Sequence, residues 1–471
     1  MVKGRLMSVR LTLALRSGTA MLALALVAGL ASRSAYAQSF EEALALAYAT
    51  NPTLEAQRAR LRSVDETVPQ ALGNWRPTVK LTGDYGRTRQ ESNSASPPDQ
   101  VRSPRSGSVT VSQPIFRGGR TVAATRKAEN TVLSERALLL ASEQTVLLNA
   151  ATAYFDNLRD LAVLDLNRNN EQVLKKQLAA TKDRFQVGEL TRTDVSQAEA
   201  RLSQAEALRV KAEGDLRGSR ASFQNIIGQG PKDLKEPAQP NGLPANLDEA
   251  VSQARSNAPD VVSAQYTEKA ARKNVDLVAG ELLPTLSLDA DAGRTWRQSG
   301  LHSRTETVEV VASLSVPIYE GGTATYARVR EAKEVAGQRR LEIDQALRTA
   351  TENATKSWET LDTARAQVQS YSDQIKAAEI ALEGVKREAE VGARTVLDVL
   401  DSEQELLDAK VNLVKARRDQ LLAAFQLKSA VGKLTASELG LAVDMYDPLS
   451  HYDKVQNKWF GTYVPEPKTS P

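Results

Sequence analysis

The residues of this 471-residue chain best placed to do chemistry are charged ones in a stretch that occurs twice. Residues 391–401 read VGARTVLDVLD and residues 187–197 read VGELTRTDVSQ; Gly188 and Gly392, like Asp194 and Asp398, are 204 residues apart. Asp398 and Asp401 have the three-residue spacing that puts two carboxylates on one face of a helix. They could serve as paired fixed negative charges, with Arg394, Asp194 and Thr193 as a nearby cation, carboxylate and hydroxyl. The plainer reading is a solvated helix end, where a Thr or Asp after a Gly break starts the next helix and surface ion pairs contribute little. No nucleophile, base and orienting group recur together as in an enzyme. With no Cys and only two His, one of them (His302) in a hydrophilic loop, no metal or other cofactor is expected. Gly118-Gly119 and Gly321-Gly322 are not followed by the Lys-Ser/Thr of a phosphate loop.

Each copy of the stretch lies between long runs of charged and apolar residues. From Arg120 to Arg184 there is neither Pro nor Gly, and at 1.5 Å per residue such a run makes a helix about 100 Å long. Gly188 interrupts it, and a second helix is expected over 191–227, stopped by Gly228 and Gly230-Pro231. The other half repeats the pattern with helices over 323–390, free of Pro, and 395–431, ending near Gly432. Helices this long need equally long neighbours, as in a coiled-coil-like wall. The repeated stretches are then the tips of two helical hairpins.

Ahead of each long helix the apolar period changes to two. Phe40 opens a helix that Asn51-Pro52 either breaks or restarts, and that ends before Trp75-Arg76-Pro77. Val79, Leu81, Gly83 and Tyr85 then alternate with Lys80, Thr82 and Asp84; a Ser-, Pro- and Gln-rich tip at 90–107 leads back through Val109 and Val111, giving a hairpin over 78–114. Asn257-Ala258-Pro259 and Leu282-Leu283-Pro284 restart the pattern for a second hairpin over 285–317. Pro114, Phe116, Gly118 and Gly119 are answered by Pro317, Tyr319, Gly321 and Gly322. The glycines mark strand-to-helix turns, and the two aromatic residues are expected to pack there. Trp75, Tyr85 and Trp296 suit either interfacial belts or ordinary packing.

Two hairpins supply four strands, too few to close a barrel. Their length fits transmembrane β strands, so a barrel would need several copies and predicts a rotationally symmetric oligomer. The net charge of +3, without a basic patch or aromatic platform, argues against nucleic acid. Residues 1–37 read as a signal peptide: Lys3, Arg5, Arg10 and Arg16 precede an apolar run at 21–30 and Ala35-Tyr36-Ala37. That run is shorter than the roughly 20 residues of a spanning helix, so a mature chain beginning near Gln38 and lying beyond the inner membrane is expected. The domains follow: 38–230 as first repeat, 231–247 as a Pro-rich connector, 248–432 as second repeat and 433–471 as an irregular tail. An envelope channel, a non-conducting stalk or adhesin, and a periplasmic adaptor all remain open, although the hairpins count against the adaptor.

Over nearly the whole mature chain these features resemble the TolC family of outer-membrane efflux proteins. The likeness rests on both Pro-Ile-aromatic-x-Gly-Gly elements, both Val-Gly tips, both Asn-Pro or Asn-Ala-Pro starts and, most specifically, residues 391–401. It implies a mainly α fold with transmembrane β: a homotrimer with a twelve-stranded barrel in outer-membrane lipid, four strands per subunit, continued by an α-helical periplasmic tunnel. The connector and tail would form an equatorial domain. It also implies an exit duct for tripartite efflux pumps or type I secretion. Such a duct passes drugs, toxic compounds or polypeptides from an inner-membrane transporter of the RND, ABC or MFS type, through a periplasmic membrane-fusion adaptor, and is no enzyme. Asp398 and Asp401 match the aspartates that ring the family's periplasmic entrance, where fixed carboxylates favour cations. Arg394 matches its gate arginine, Asp194 the partner in a latch, and Thr193 the hydroxyl partner of a gate tyrosine whose place holds Ala389 here.

Overall fold

A computed structural model of the chain describes residues 39–91, 93, 100–319 and 323–464; the expected signal peptide and Gly321 and Gly322 lie outside them. The chain opens with α1 (Phe40–Thr50), set by a capping box in which Ser39 and Glu42 each accept the other's backbone N–H. Asn51 then caps a new helix: its side chain accepts from the Thr53 N–H at 3.0 Å, and Pro52 takes the first position of α2 (Pro52–Asp65), where a missing N–H costs nothing. A short α3 (Thr67–Leu72) and a 3₁₀ turn at Gly73–Trp75 lead into the first strand.

The strands are β1 (Thr78–Tyr85), the short β2 (Thr88–Gln90) and β3 (Gln100–Arg102), and β4 (Arg105–Arg117); β5 (Thr285–Trp296) and β6 (Arg304–Ser315) belong to the second repeat. β1, β4, β5 and β6 form one antiparallel sheet in that order, so each repeat gives a hairpin and the two hairpins join through β4 and β5. The first hairpin's tip is not wholly irregular, since β2 pairs with β3. β4 runs past Pro114 to Arg117 by a register shift between Pro114 and Phe116, which accommodates a residue without an N–H. β6 stops at Ser315, leaving Pro317 beyond the strand it was expected to close.

Pairing registers sort the sheet into two unlike faces. One carries the rows Leu286, Phe116 and Leu314; Ala290, Val111, Val310 and Val79; and Ala292, Val109, Val308 and Leu81. The other carries Asp289, Ser112 and Thr78, with Val311 in the same row; Asp291, Thr110, Glu309 and Lys80; and Thr307, Ser108 and Thr82. Across it Thr110 and Ser112 donate to Asp291 and Asp289. Where the apolar rows end, one row runs Tyr85, Arg105, Trp296 and Arg304 across the four strands, with Arg105 between the two aromatic residues.

The helices are α4 (Arg120–Gln186) and α5 (Arg192–Ile227) in the first repeat, and α6 (Leu247–Asn257), α7 (Pro259–Ala279), α8 (Ala324–Glu390) and α9 (Val396–Ala430) in the second. α4 and α8 have 67 residues each, about 100 Å of helix. α4 pairs with α5 and α8 with α9, while α7 lies along both long helices. Ala dominates the buried seams, among them Ala198, Ala205, Ala212, Ala350, Ala354 and Ala364, which lets thin helices lie close. The bulkiest core sits at the level of α1, where Phe40, Tyr154, Phe155, Phe223 and Phe425 bring α1, α4, α5 and α9 together; Phe40 and Phe425 meet edge-on at 5.1 Å.

The tail is more ordered than its sequence suggests. Glu143, buried on α4, accepts the Ala436 N–H at 2.7 Å, and Arg58 lies between the rings of Tyr48 and Tyr446 at 4.6 and 5.1 Å. A short helix, α10 (Ser450–Val455), docks on α2 through His451 and the fully buried Asp65, 3.1 Å apart.

Candidate functional site

Each tip is built by local backbone chemistry. α4 and α8 end in a tight turn in which Gly188 and Gly392 take positive φ (84° and 80°), open to glycine without strain. Glu189 N–H reaches the Arg184 carbonyl at 3.0 Å, and Ala393 N–H reaches that of Glu388 at 2.9 Å. Thr191 and Thr395 then start α5 and α9 with identical capping boxes: the Thr hydroxyl accepts the N–H of Asp194 or Asp398, whose carboxylate accepts the Thr N–H at 2.9 Å in both.

Asp194 and Asp398 therefore have defined structural work at the tips. The Thr191 hydroxyl and N–H hold the Asp194 carboxyl below the usual carboxylate range, and the Thr395 N–H and hydroxyl do so for Asp398. The expected Arg394–Asp194 bridge is not made within the chain. Arg394 instead pairs with Glu388 across its own turn, Nε to Oε2 at 3.0 Å, which favours its charged form. The other tip holds the mirror pair Arg184–Glu189, also at 3.0 Å, so a short loop satisfies each charge before a distant partner can. Thr193 is exposed one residue inside α5.

Asp401 differs. It stands one turn further along α9 and accepts a hydrogen bond from Arg201 of α5, which ties one hairpin to the other. Beneath this link Val396 and Leu400 pack against Leu174, Ala198 and Ala205, with Leu178, Leu190 and Leu202 around them. The tips thus touch through an apolar cluster roofed by an ion pair. Arg201 escaped the sequence reading because its role depends on how α5 and α9 are rotated against each other. A second pair was open to detection: Lys182–Glu199 at 2.8 Å and Lys386–Glu403 at 2.9 Å recur at the same 204-residue offset, bracing each hairpin near its tip.

At the opposite end of the long helices, Gly118 and Gly119 turn β4 into α4 with φ of 59° and 73°. A Cβ on Gly118 would strike the Gly280 carbonyl oxygen and the Leu283 side chain. Sequence reading missed Gly280, which packs against the Gly118 backbone where α7 enters β5. Phe116 and Tyr319, expected to pack at this corner, are exposed in the single chain, with Phe116 on the apolar face of the sheet.

These features can be compared with known proteins. Residues 43–229 and 250–433 match the family described as outer membrane efflux protein, one segment for each repeat. Outer membrane efflux protein BepC of Brucella suis biovar 1 is 34% identical over 438 residues, covering 93% of this chain and 94% of its own length. Outer membrane protein TolC of Vibrio cholerae is 26% identical over 426 residues, covering 87% of this chain and 94% of its own. The solved structure of CusC superposes with a TM-score of 0.75 at 15% identity, covering 84% of this chain and 92% of that one, so the fold is shared although few residues are. The chain is a member of the outer membrane efflux protein family, a channel protein of the outer membrane with the TolC fold.

Proposed function

We propose that three copies of the chain close their sheets into one barrel and that the helical hairpins continue its bore into the periplasm as an exit duct. The sheet carries this reading. Its two faces differ as lipid and water differ, and β1 and β6 end it as open edges. Each unpaired backbone group in lipid costs several kcal/mol, so both edges demand a strand from a neighbouring copy. Three sheets of four strands make twelve, wide enough for a bore lined by the Asp289, Asp291, Lys80 and Glu309 face.

The duct would take drugs and other toxic compounds, as the efflux name of the relative BepC suggests, or secreted polypeptides. It would receive them from an inner-membrane transporter of the RND, ABC or MFS type through a periplasmic membrane-fusion adaptor. The Pro-rich connector and docked tail would form the equatorial domain.

At the periplasmic end Asp398 and Asp401 would ring the entrance. The cap keeps Asp398 ionised, and Arg201 partly offsets the charge of Asp401. Planar-bilayer conductance tests the reading through block by a trivalent cation. Asp401→Asn should weaken the block, and Arg201→Ala should strengthen it by unmasking the carboxylate. Unchanged block in both variants removes the ring assignment. A monomer that needs no detergent and does not conduct overturns the duct and favours a structural stalk.

A further inference from the structure

Residues 458–464 form a small turn that the channel reading leaves without a task. Lys458 N–H reaches the Val455 carbonyl at 2.9 Å at the end of α10, and its ammonium reaches the Tyr463 carbonyl at 3.4 Å. Gly461, with φ of 100°, lets the chain double back. The turn displays four large apolar side chains within six positions: Trp459 is 58% exposed, Phe460 86%, Tyr463 77% and Val464 65%. Isolated apolar residues on a surface are ordinary, but a contiguous group of this size marks a contact.

The turn is held in place. α10 is anchored to α2 by His451 and Asp65, and Arg76 both donates to the Lys458 carbonyl at 2.7 Å and lies over the Trp459 ring at 4.7 Å. Arg76 fixes its height on the sheet. Thr78 is paired with Ser112, and the Gln113 side chain donates to the Trp75 carbonyl at 2.9 Å. Arg76 therefore lies level with Gln113 and Pro114, which pair with Leu288 and Ser287 next to the lowest apolar row of Leu286, Phe116 and Leu314. Trp75, itself exposed, and Phe116 occupy the same zone.

We propose that residues 458–464 form a lipid-binding turn that enters the headgroup–acyl boundary of the inner leaflet and extends the membrane-facing band of the barrel. The occupant is phospholipid, on three grounds. The patch lies at the height of the sheet's lowest rows, where, on the barrel reading on which this inference rests, the exposed apolar face meets lipid. Its composition, Trp and Tyr around Phe with a Lys at the base, is that of an interfacial anchor. And Tyr85 with Trp296 marks the other edge of the same band, so this turn supplies the aromatic edge on the periplasmic side.

The test uses tryptophan fluorescence of the assembled full-length protein in phosphatidylcholine vesicles. Replacing Trp75, Trp296 and Trp358 by Phe leaves Trp459 as the sole reporter. Lipids brominated near the top of the acyl chain should lower its emission well below that in plain lipid, since an indole at the headgroup level lies beside the bromines. Emission equal in brominated and plain lipid overturns the proposal. Acrylamide then tells what is there instead: quenching means open water, and no quenching means cover by a neighbouring subunit. If the triple variant does not assemble, the drop in bromolipid quenching between the native chain and Trp459→Phe reads the same quantity. No drop overturns the proposal equally.

Discussion

The corner between barrel and helices can be dissected with three alanines, because the structure separates two costs that usually come together. Gly119 has φ of 73° and open space where a Cβ would go, so Gly119→Ala incurs only the left-handed backbone penalty, about 1–2 kcal/mol. Gly280 has no positive φ, but its Cβ would sit 2.6 Å from the Arg120 side chain and against the Gly118 carbonyl. Gly280→Ala therefore measures crowding alone, about 1–3 kcal/mol if the backbones part slightly. Gly118→Ala incurs both, about 2–5 kcal/mol, because its Cβ meets backbone that cannot rotate away. The expected order of loss is Gly118→Ala first, with the other two smaller. The double variant Gly118→Ala/Gly280→Ala should fall short of the sum, since either substitution alone already forces the backbones apart. The assay is denaturant unfolding of the purified protein, with the yield of assembled protein in the outer membrane as a second readout. Equal losses for Gly118→Ala and Gly119→Ala would show that the close approach to Gly280 does not constrain the corner, and the reasoning would fail.

Two further outcomes follow from the same contacts. Phe425 is buried between Phe40 and Phe155, so Phe425→Ala should cost about 3–5 kcal/mol in denaturant unfolding; a loss below about 1 kcal/mol would mean this cluster does not hold the core together. The tip caps set a pH window. Asp194 and Asp398 have depressed folded-state pKa values, so their stabilisation is full above the unfolded value and is lost as pH falls through the folded one. Hydrogen exchange at the Thr191 and Thr395 amides, which donate to those carboxylates, should stay protected at about pH 5 and open only below about pH 4, and opening at the higher pH would contradict the cap assignment.

Much of the architecture was legible because it is written in breakers and periods. The Pro-free, Gly-free run after Arg120 announced α4, and the alternation from Val79 announced a strand, to within a few residues of where each lies. What escaped was settled by distance across elements. The ion pair of Arg201 with Asp401 requires a particular rotation of two helices, and no spacing within either helix records it. Within the chain Arg394 meets Glu388, six residues before it, because the tight turn at Gly392 brings the two together. Gly280 sits in a short 3₁₀ turn that looks like any other helix end until the Gly118 backbone is seen against it. Lys182–Glu199 and Lys386–Glu403 were within reach of the repeat and were passed over, because the two copies were compared only at their tips.

The tips also explain why a duplicated element has not stayed symmetric. Both copies keep the glycine, the Thr-Asp capping box and an ion pair across the turn, since each helix reversal needs them. The copies differ where they meet. At one offset position the first copy has Leu190, which packs into the shared cluster, and the second has the exposed Arg394; two residues on, the first has the exposed Arg192 and the second the buried Val396. At these two positions each tip thus sends one apolar residue into the contact, with Leu400 joining Val396 from the second, so two similar loops interlock where two identical ones would place the same side chains against each other. The carboxylate pair follows the same logic. Asp398 repeats Asp194 because a cap is needed twice, whereas Asp401, with Gln197 as its counterpart, is present once and is met by Arg201 of the opposite hairpin. A residue kept in both copies reports the local turn. A charge present in one copy, and paired across to the other, reports the relation between hairpins, which is the relation that must change if the entrance widens.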